Sequence, residues 1–230
     1  MRFVVRATGV VAGLGLLLSA CRPDQIEHIR NGKQIATTLE NMTVKRILPA
    51  GLLRAARWAG DSLTRSADQE LRRQLAARLS AGGVAAALPV CRPEGYATTD
   101  SLARIFRAVP RRLSRRPRNP QNQAPLTAAD LRPDTATAHL VRRIDAETFV
   151  YQRPITLTDA QCLRCHGTVG RDVAAADYAL IKQQYPADQA TGYRLGDAMG
   201  VWQVRLHRDG VAELYTMKTR KVMKKRKPLF

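Results

Sequence analysis

The chain is expected to fold as a mixed α+β domain, an antiparallel sheet preceded by helices. Three observations carry that expectation. Good helix formers dominate Pro23 to Ala81, segments rich in β-branched and aromatic residues follow only after His139, and Cys162-Leu163-Arg164-Cys165-His166-Gly167 stands between two pairs of such segments. At 230 residues there is room for one domain with a core plus an extension, and hardly for two.

Residues 1–20 have the anatomy of an export signal, with Arg2 and Arg6 ahead of an apolar run from Ala7 through Leu18 and then small residues. The run is too short to span a bilayer comfortably. Leu18-Ser19-Ala20-Cys21 matches the bacterial lipoprotein box, in which Cys21 becomes the acylated first residue. Membrane lipid is then a partner through Cys21, and the mature protein is held on the periplasmic side of a bacterial membrane. The chain is strongly basic, 38 Lys+Arg against 19 Asp+Glu for a formal charge of +19. Such a surplus calls for an anionic partner, and export excludes nucleic acid.

Residues 21–60 read as a helical lead-in punctuated by Gly32, Pro49-Ala50-Gly51 and Gly60. The clearest helix starts near Asp61 or Ser62 as a cap and carries Leu71, Leu75 and Leu79 on one stripe, until Gly82-Gly83 ends it. Val84 to Leu88 is apolar and leads into Pro89-Val90-Cys91-Arg92-Pro93, where two prolines interrupt regular helix around a thiol. Arg104 to Arg118 holds seven arginines in fifteen positions, a solvated basic face on its simplest reading, and Arg118 to Asn122 is a turn.

His139 to Ile144 and Thr148 to Ile155 predict two strands turning at Asp145-Ala146-Glu147. Ala174 to Tyr185 predicts a helix with Tyr178, Ile181 and Tyr185 to one side, stopped by Pro186. Met199 to Leu206 and Val211 to Met217 predict a second strand pair joined across Arg208-Asp209-Gly210. Lys218 to Lys227 has seven basic residues in ten, so 218–230 reads as a disordered basic tail.

The cysteine motif carries the chemistry. Two thiols separated by two residues can each add to one vinyl group of a haem, and the histidine directly after them is delivered to the iron. Competing readings are a thioredoxin-like dithiol, which needs no such histidine, and half of a zinc site, for which no second Cys-x-x-Cys exists. With Cys21 given to lipid and Cys162 and Cys165 to haem, Cys91 is left over, either buried and inert or held by something such as a metal. His139 and His207 read as ordinary residues on strands. Met199 and Met217 are alternative iron ligands or core, and Tyr151, Arg153, Tyr193 and Asp197 are candidates for the pocket wall.

Several stretches together resemble a known family. Cys91, Arg118-Asn119-Pro120 with Asn122, Tyr151-Gln152-Arg153-Pro154-Ile155, Cys162 to Gly167, and Tyr185-Pro186-Ala187-Asp188-Gln189-Ala190-Thr191-Gly192-Tyr193 with Gly196-Asp197 are similar, in that order, to the Tll0287-like haem domain. The resemblance spans roughly Asp61 to Met217, here taken as a domain over 61–217. It implies a PAS-like sheet preceded by helices and one covalent haem c. It also implies axial ligation by His166 on the proximal side and by a distant cysteine, a role that falls on Cys91. Between Val109 and Pro117 the chain has more arginine and an extra proline than the family's usual segment.

With both axial positions taken, turnover of a substrate on the iron is not expected, and no second Cys-x-x-Cys-His exists for two-haem peroxidase chemistry. The expected function is a redox or small-gas sensing module that works with a separate protein partner. A low-potential periplasmic electron carrier is the alternative. The anchor has a direct test. Cys21→Ser should release the protein from membranes without detergent, and a variant that remains equally membrane-bound would assign the attachment to the basic tail instead.

Overall fold

The computed structural model describes residues 32–35, 37 and 47–224, with side chains as far as Thr216. The expected signal over 1–20, Cys21, most of the lead-in and the last residues of the tail lie outside the described residues, as does the side chain of Met217. The chain divides into two units, Met1–Arg46 and Ile47–Phe230. In the first, residues 32–35 are helical and the Thr37 hydroxyl donates to the Lys33 carbonyl at 2.7 Å. All else concerns the second.

Helix α1, Pro49–Ala87, is the long element, with a proline in its first turn where the missing N–H breaks no bond. It runs straight through Gly60 and Asp61, so the expected helix start at Asp61 is a correction. Gly60 is there to let the helix approach the sheet, because a Cβ at this position would lie 2.1 Å from Cγ of Tyr151. The buried face carries Leu52, Ala55, Ala56, Ala59, Leu63 and Ala67, then Leu75 and Leu79, at spacings of three and four. At Gly82 and Gly83 the backbone leaves helical geometry, as the two glycines predict, and it resumes for Val84–Ala87.

After a 3₁₀ turn at Leu88–Val90 come two short helices, α2 (Pro93–Thr99) and α3 (Ser101–Ile105). The sheet has four antiparallel strands, β1 (Val109–Leu113), β2 (Leu140–Arg143), β3 (Thr148–Thr156) and β4 (Ala198–His207), in the order β1-β4-β3-β2. Pro110 sits in an edge strand, where a missing N–H is tolerated. Pro154 lies beyond the point where β2 ends, so that side of β3 has no ladder to interrupt. Between β3 and β4 lie α4 (Leu163–His166) and α5 (Ala175–Gln184), and α6 (Arg208–Lys224) follows β4.

The α+β class, the predicted β2–β3 pair and the strand at Met199 to Leu206 agree with the structure. The predicted strand at Val211 to Met217 does not, because those residues are helical. Val211, Leu214 and Tyr215, at helical spacing, pack with Leu52 and Ala55 of α1. Gly210 serves a close approach rather than a hairpin turn, since a Cβ there would sit 2.2 Å from the Ile105 carbonyl oxygen. The tail from Lys218 to Lys224, expected to be disordered, continues the same helix.

The apolar interior has two main centres. One joins Leu52, Ala56, Ala59 and Leu63 to Phe149, Tyr151, Val204 and Leu206 between helix and sheet. The other joins Leu75, Leu79, Val84 and Leu88 to Cys165, Val173 and Ile181. Because Gly60 faces a rigid aromatic ring, Gly60→Ala should lose about 1–3 kcal/mol to overpacking, more than the roughly 1 kcal/mol alanine gains in helix propensity. Thermal melting should fall by several degrees, and an unchanged or raised melting temperature would contradict the packing described.

Candidate cofactor site

The Cys-x-x-Cys-His segment is shaped before it does any chemistry. Asp159 accepts from the Gln161 amide at 2.9 Å and caps a 3₁₀ turn over Ala160–Cys162, which runs directly into α4. One helical turn then places Cys162, Cys165 and His166 on a short, tight scaffold. Its far end is tied to the loop after α5, with the Tyr193 amide donating to the His166 carbonyl at 2.9 Å and the Gly192 amide to the Gly167 carbonyl at 2.7 Å.

Cys91 arrives from the other side. The 3₁₀ turn ahead of it is closed by its own amide on the Leu88 carbonyl, 3.3 Å, and braced by the Tyr96 hydroxyl donating to the Val90 carbonyl at 2.9 Å. Cys91 and His166 line one cavity of about 790 Å³, walled also by Arg112, Arg118, Tyr193 and Met199. A smaller cavity of about 50 Å³ shares Cys91 and His166 as walls and adds Cys162 and Cys165. The four residues singled out by sequence therefore converge on one place. The volume is within the ordinary range for cofactor pockets.

Burial sets the protonation of His166, Cys162 and Cys165. Burial, helped by Arg118 and opposed by the bond to Ala190, lowers His166 to about 3, so its imidazole is neutral at any ordinary pH, the form that ligates metal. Its Nδ1 lies 2.7 Å from the Ala190 carbonyl oxygen and must donate there, which leaves the Nε2 lone pair free. Burial, then Asp159 and Cys91, push the Cys162 thiol up to about 11, and burial raises Cys165 as well. Cys91 figures among the causes in both cases, which puts the three thiols within electrostatic reach of one another.

Arginines are what sequence reading missed here. Arg112 and Arg118, within the run expected to be a solvated basic face, are half-buried in the cavity wall, while Arg92, Arg111 and Arg116 are exposed on its rim. For Arg112 the signal available was the two-residue alternation of strand β1, whereas Arg118 lies beyond that strand. Met199 lies on the wall and packs with Leu157, Ala190 and Tyr193.

Tyr193 lines the cavity as expected, but Tyr151, Arg153 and Asp197 do not. Asp197 accepts from the Arg194 amide at 2.8 Å in a turn. Tyr151 and Arg153 belong to a separate polar cluster between α1 and the sheet, which also takes in His139, read from sequence as ordinary. The His139 ring lies 2.6 Å from Asp61 Oδ1 through Nδ1 and 2.6 Å from Asp134 Oδ1 through Nε2. The Tyr151 hydroxyl donates to Asp61 at 2.5 Å. Arg153 donates to Asp134 at 3.0 Å, to Thr64 at 3.1 Å and to Asp68, whose other oxygen accepts from Trp202 Nε1 at 3.1 Å. Burial alone would lower the Arg153 guanidinium, yet Asp68 and Asp134 hold it above its usual value. Burial and then Asp61 likewise raise the Tyr151 phenol. His207 is elsewhere, 3.8 Å from Glu147 and 3.6 Å from Asp209 at one end of the sheet.

With this geometry in view, comparison with known proteins decides the family. The model of the Tll0287-like family matches residues 62–206, more than half of the chain. The chain belongs to the Tll0287-like family. Among solved structures it is similar to the cyanobacterial heme-protein Tll0287, at 25% identity and a TM-score of 0.39, over 60% of this chain and 88% of that one. No curated protein matches.

The thiol environment of this Tll0287-like chain can be read by titration. In the haem-free polypeptide burial pushes the Cys162 thiol up to about 11. Two pH units of displacement from an ordinary thiol mean roughly a hundredfold less thiolate at pH 8. Alkylation of Cys162 by iodoacetamide should be slower by about that factor and accelerate as pH rises toward 11. Modification at the rate of an exposed cysteine would show that the thiol is not buried as described.

Proposed function

We propose that this Tll0287-like protein is an exported, lipid-anchored c-type haem-binding protein that serves as a redox or small-gas sensing module. Cys162 and Cys165 would hold one haem c by thioether bonds, with His166 and Cys91 as its axial ligands. The observation that carries the reading is the convergence of Cys91, Cys162, Cys165 and a neutral, oriented His166 on shared cavity walls. A haem bound there supplies a one-electron couple and an iron able to take a small gas when one axial position is free.

This chain's own residues divide the remaining work. His166 offers Nε2 because Ala190 occupies Nδ1. Arg112 brings a guanidinium group suited to a carboxylate such as a propionate, whereas Arg118 is already committed to Asp188 and the Cys165 carbonyl. Cys91 supplies a thiolate from a turn joined to α1, and that attachment favours the sensing reading. One helix carries Asp61 and Asp68 against the sheet, Leu75 and Leu79 against the Cys165 cluster, and its C-terminal end leads into Cys91. A displacement of Cys91 thus has a lever that reaches the sheet, which would suit the PAS-like architecture that the family resemblance implies, by analogy. The exposed arginines on the rim favour the second reading, electron transfer, because they would draw an anionic partner to the cavity. Carbon monoxide binding to the reduced protein supports sensing, and a reduced form that excludes it supports transfer.

Pyridine haemochrome spectra should show both vinyls saturated, with haem retained through acid–acetone extraction. Ferric protein should give thiolate-type low-spin electron paramagnetic resonance. Cys91→Ala should convert it to high-spin or to another ligand set while the haem remains attached. An unchanged ferric spectrum in Cys91→Ala rules out the axial assignment, and haem lost in acid rules out the thioether bonds.

A further inference from the structure

Asp188 is a carboxylate with no solvent access and a set of contacts that leads to the proximal histidine. It lies in the loop after α5, its amide donating to the Tyr185 carbonyl at 3.0 Å, and its side chain is fully buried. Oδ1 accepts twice, from Arg118 Nε at 3.1 Å and from the Ala190 amide at 3.0 Å. Arg118 Nη2 donates in turn to the Cys165 carbonyl at 2.6 Å, and the Ala190 carbonyl accepts from His166 Nδ1 at 2.7 Å. Since Cys165 and His166 are adjacent in sequence, these bonds close a circuit: His166, Ala190, Asp188, Arg118, Cys165 and back to His166.

We propose that Asp188, acting through Arg118 and Ala190, is a positioning residue for His166, fixing the ring's orientation and tautomer and contributing a negative charge on the proximal side. The circuit supplies the geometry. The ring cannot turn without breaking the Ala190 bond, and the loop that carries both Asp188 and Ala190 cannot shift without Asp188 leaving Arg118. A neutral acceptor would serve that purpose equally well, since only Oδ1 has partners; among the described residues Oδ2 is buried with none. A buried carboxylate with one unpaired oxygen is costly, so the charge calls for its own account. Arg118 provides it: Asp188 offsets a guanidinium that otherwise stands uncompensated beside Cys165 and His166, where it would disfavour oxidised iron.

Geometry and charge separate by substitution in the full-length haem-loaded protein. Asp188→Asn keeps the acceptor and removes the charge. Its ferric resonance positions should match those of the parent while the midpoint potential moves positive. Asp188→Ala removes both, so the resonance positions should shift or broaden as well, with covalent haem content unchanged. The proposal rests on the haem reading, and the parent protein distinguishes the two failures. A parent without a c-type haemochrome refutes that reading, whereas a haem-loaded parent whose two variants both keep its resonance and potential overturns this one. An Asp188→Asn chain that no longer folds overturns it too, because the residue is then a structural tie and not a positioning group.

Discussion

The close approach of one helix to the sheet governs where everything else in the domain stands. Ala55, Ala56, Ala59 and Gly60 leave α1 with almost no side-chain bulk on the face toward Phe149 and Tyr151, so helix backbone and aromatic rings meet directly. Such contact is rich in dispersion and intolerant of added volume. Beyond the sheet the same helix changes its partner and, through Leu75 and Leu79, roofs the segment that carries Cys165. One rod thereby serves two cores. The separation between the sheet and the cysteine–histidine segment follows from helical rise along α1, and the interruption at Gly82 and Gly83 turns the chain so that Leu88 and Cys91 reach the cavity.

A stripe of alanines defines a distance and leaves the register along the helix weakly specified. Asp61 and Asp68 remove that freedom. Seven residues apart, two turns on one face, each meets its own partners from the sheet: Tyr151 with His139 for the first, Arg153 with Trp202 for the second. A slide of one turn would strand both carboxylates, each about a quarter exposed, and would take Asp68 from the buried Arg153 guanidinium, where losing a partner is costly. Asp134 closes the cluster by bridging His139 and Arg153 from the loop before β2. Polar pairing thus supplies the specificity that small apolar residues cannot, in a place remote from the cofactor cavity.

What could be read from sequence was what is local. The Cys-x-x-Cys-His spacing, the hairpin around Asp145 to Glu147 and the helix before Pro186 all depend on neighbours within a few residues, and all have counterparts in the structure. Errors arose where a residue answers to a distant one. Gly60 looks like a helix breaker until Tyr151 is placed against it, and Gly210 looks like a turn until Ile105 is. His139 has no local mark of its role, because Asp61 is 78 positions away. Val211 to Met217 carries residues that suit a strand, but Val211, Leu214 and Tyr215 recur at three and four, and the presence of α1 decides for helix. Around the cavity, Cys91 was conspicuous by elimination and by family resemblance, whereas Asp188 is an unremarkable acidic residue until its burial is known.

The arginine run shows how one composition can serve two purposes. In β1 successive side chains point to opposite faces, so Arg111 is exposed on the cavity rim where Arg112 is half-buried in its wall. On the proposed reading these inward charges oppose the thiolate electrically. A bonded Cys91 thiolate favours ferric iron and depresses the potential, while guanidinium groups near the iron favour the reduced state. Proximity would decide the sign, since on that reading the Cys91 thiolate would bind the iron directly while Arg112 is only in the wall, and Arg118 is offset by Asp188 at 3.1 Å. The low potential expected of such a site would then depend on Cys91 as well as on Asp188: the first would supply negative charge at the iron, and the second would keep the neighbouring Arg118 charge from cancelling it.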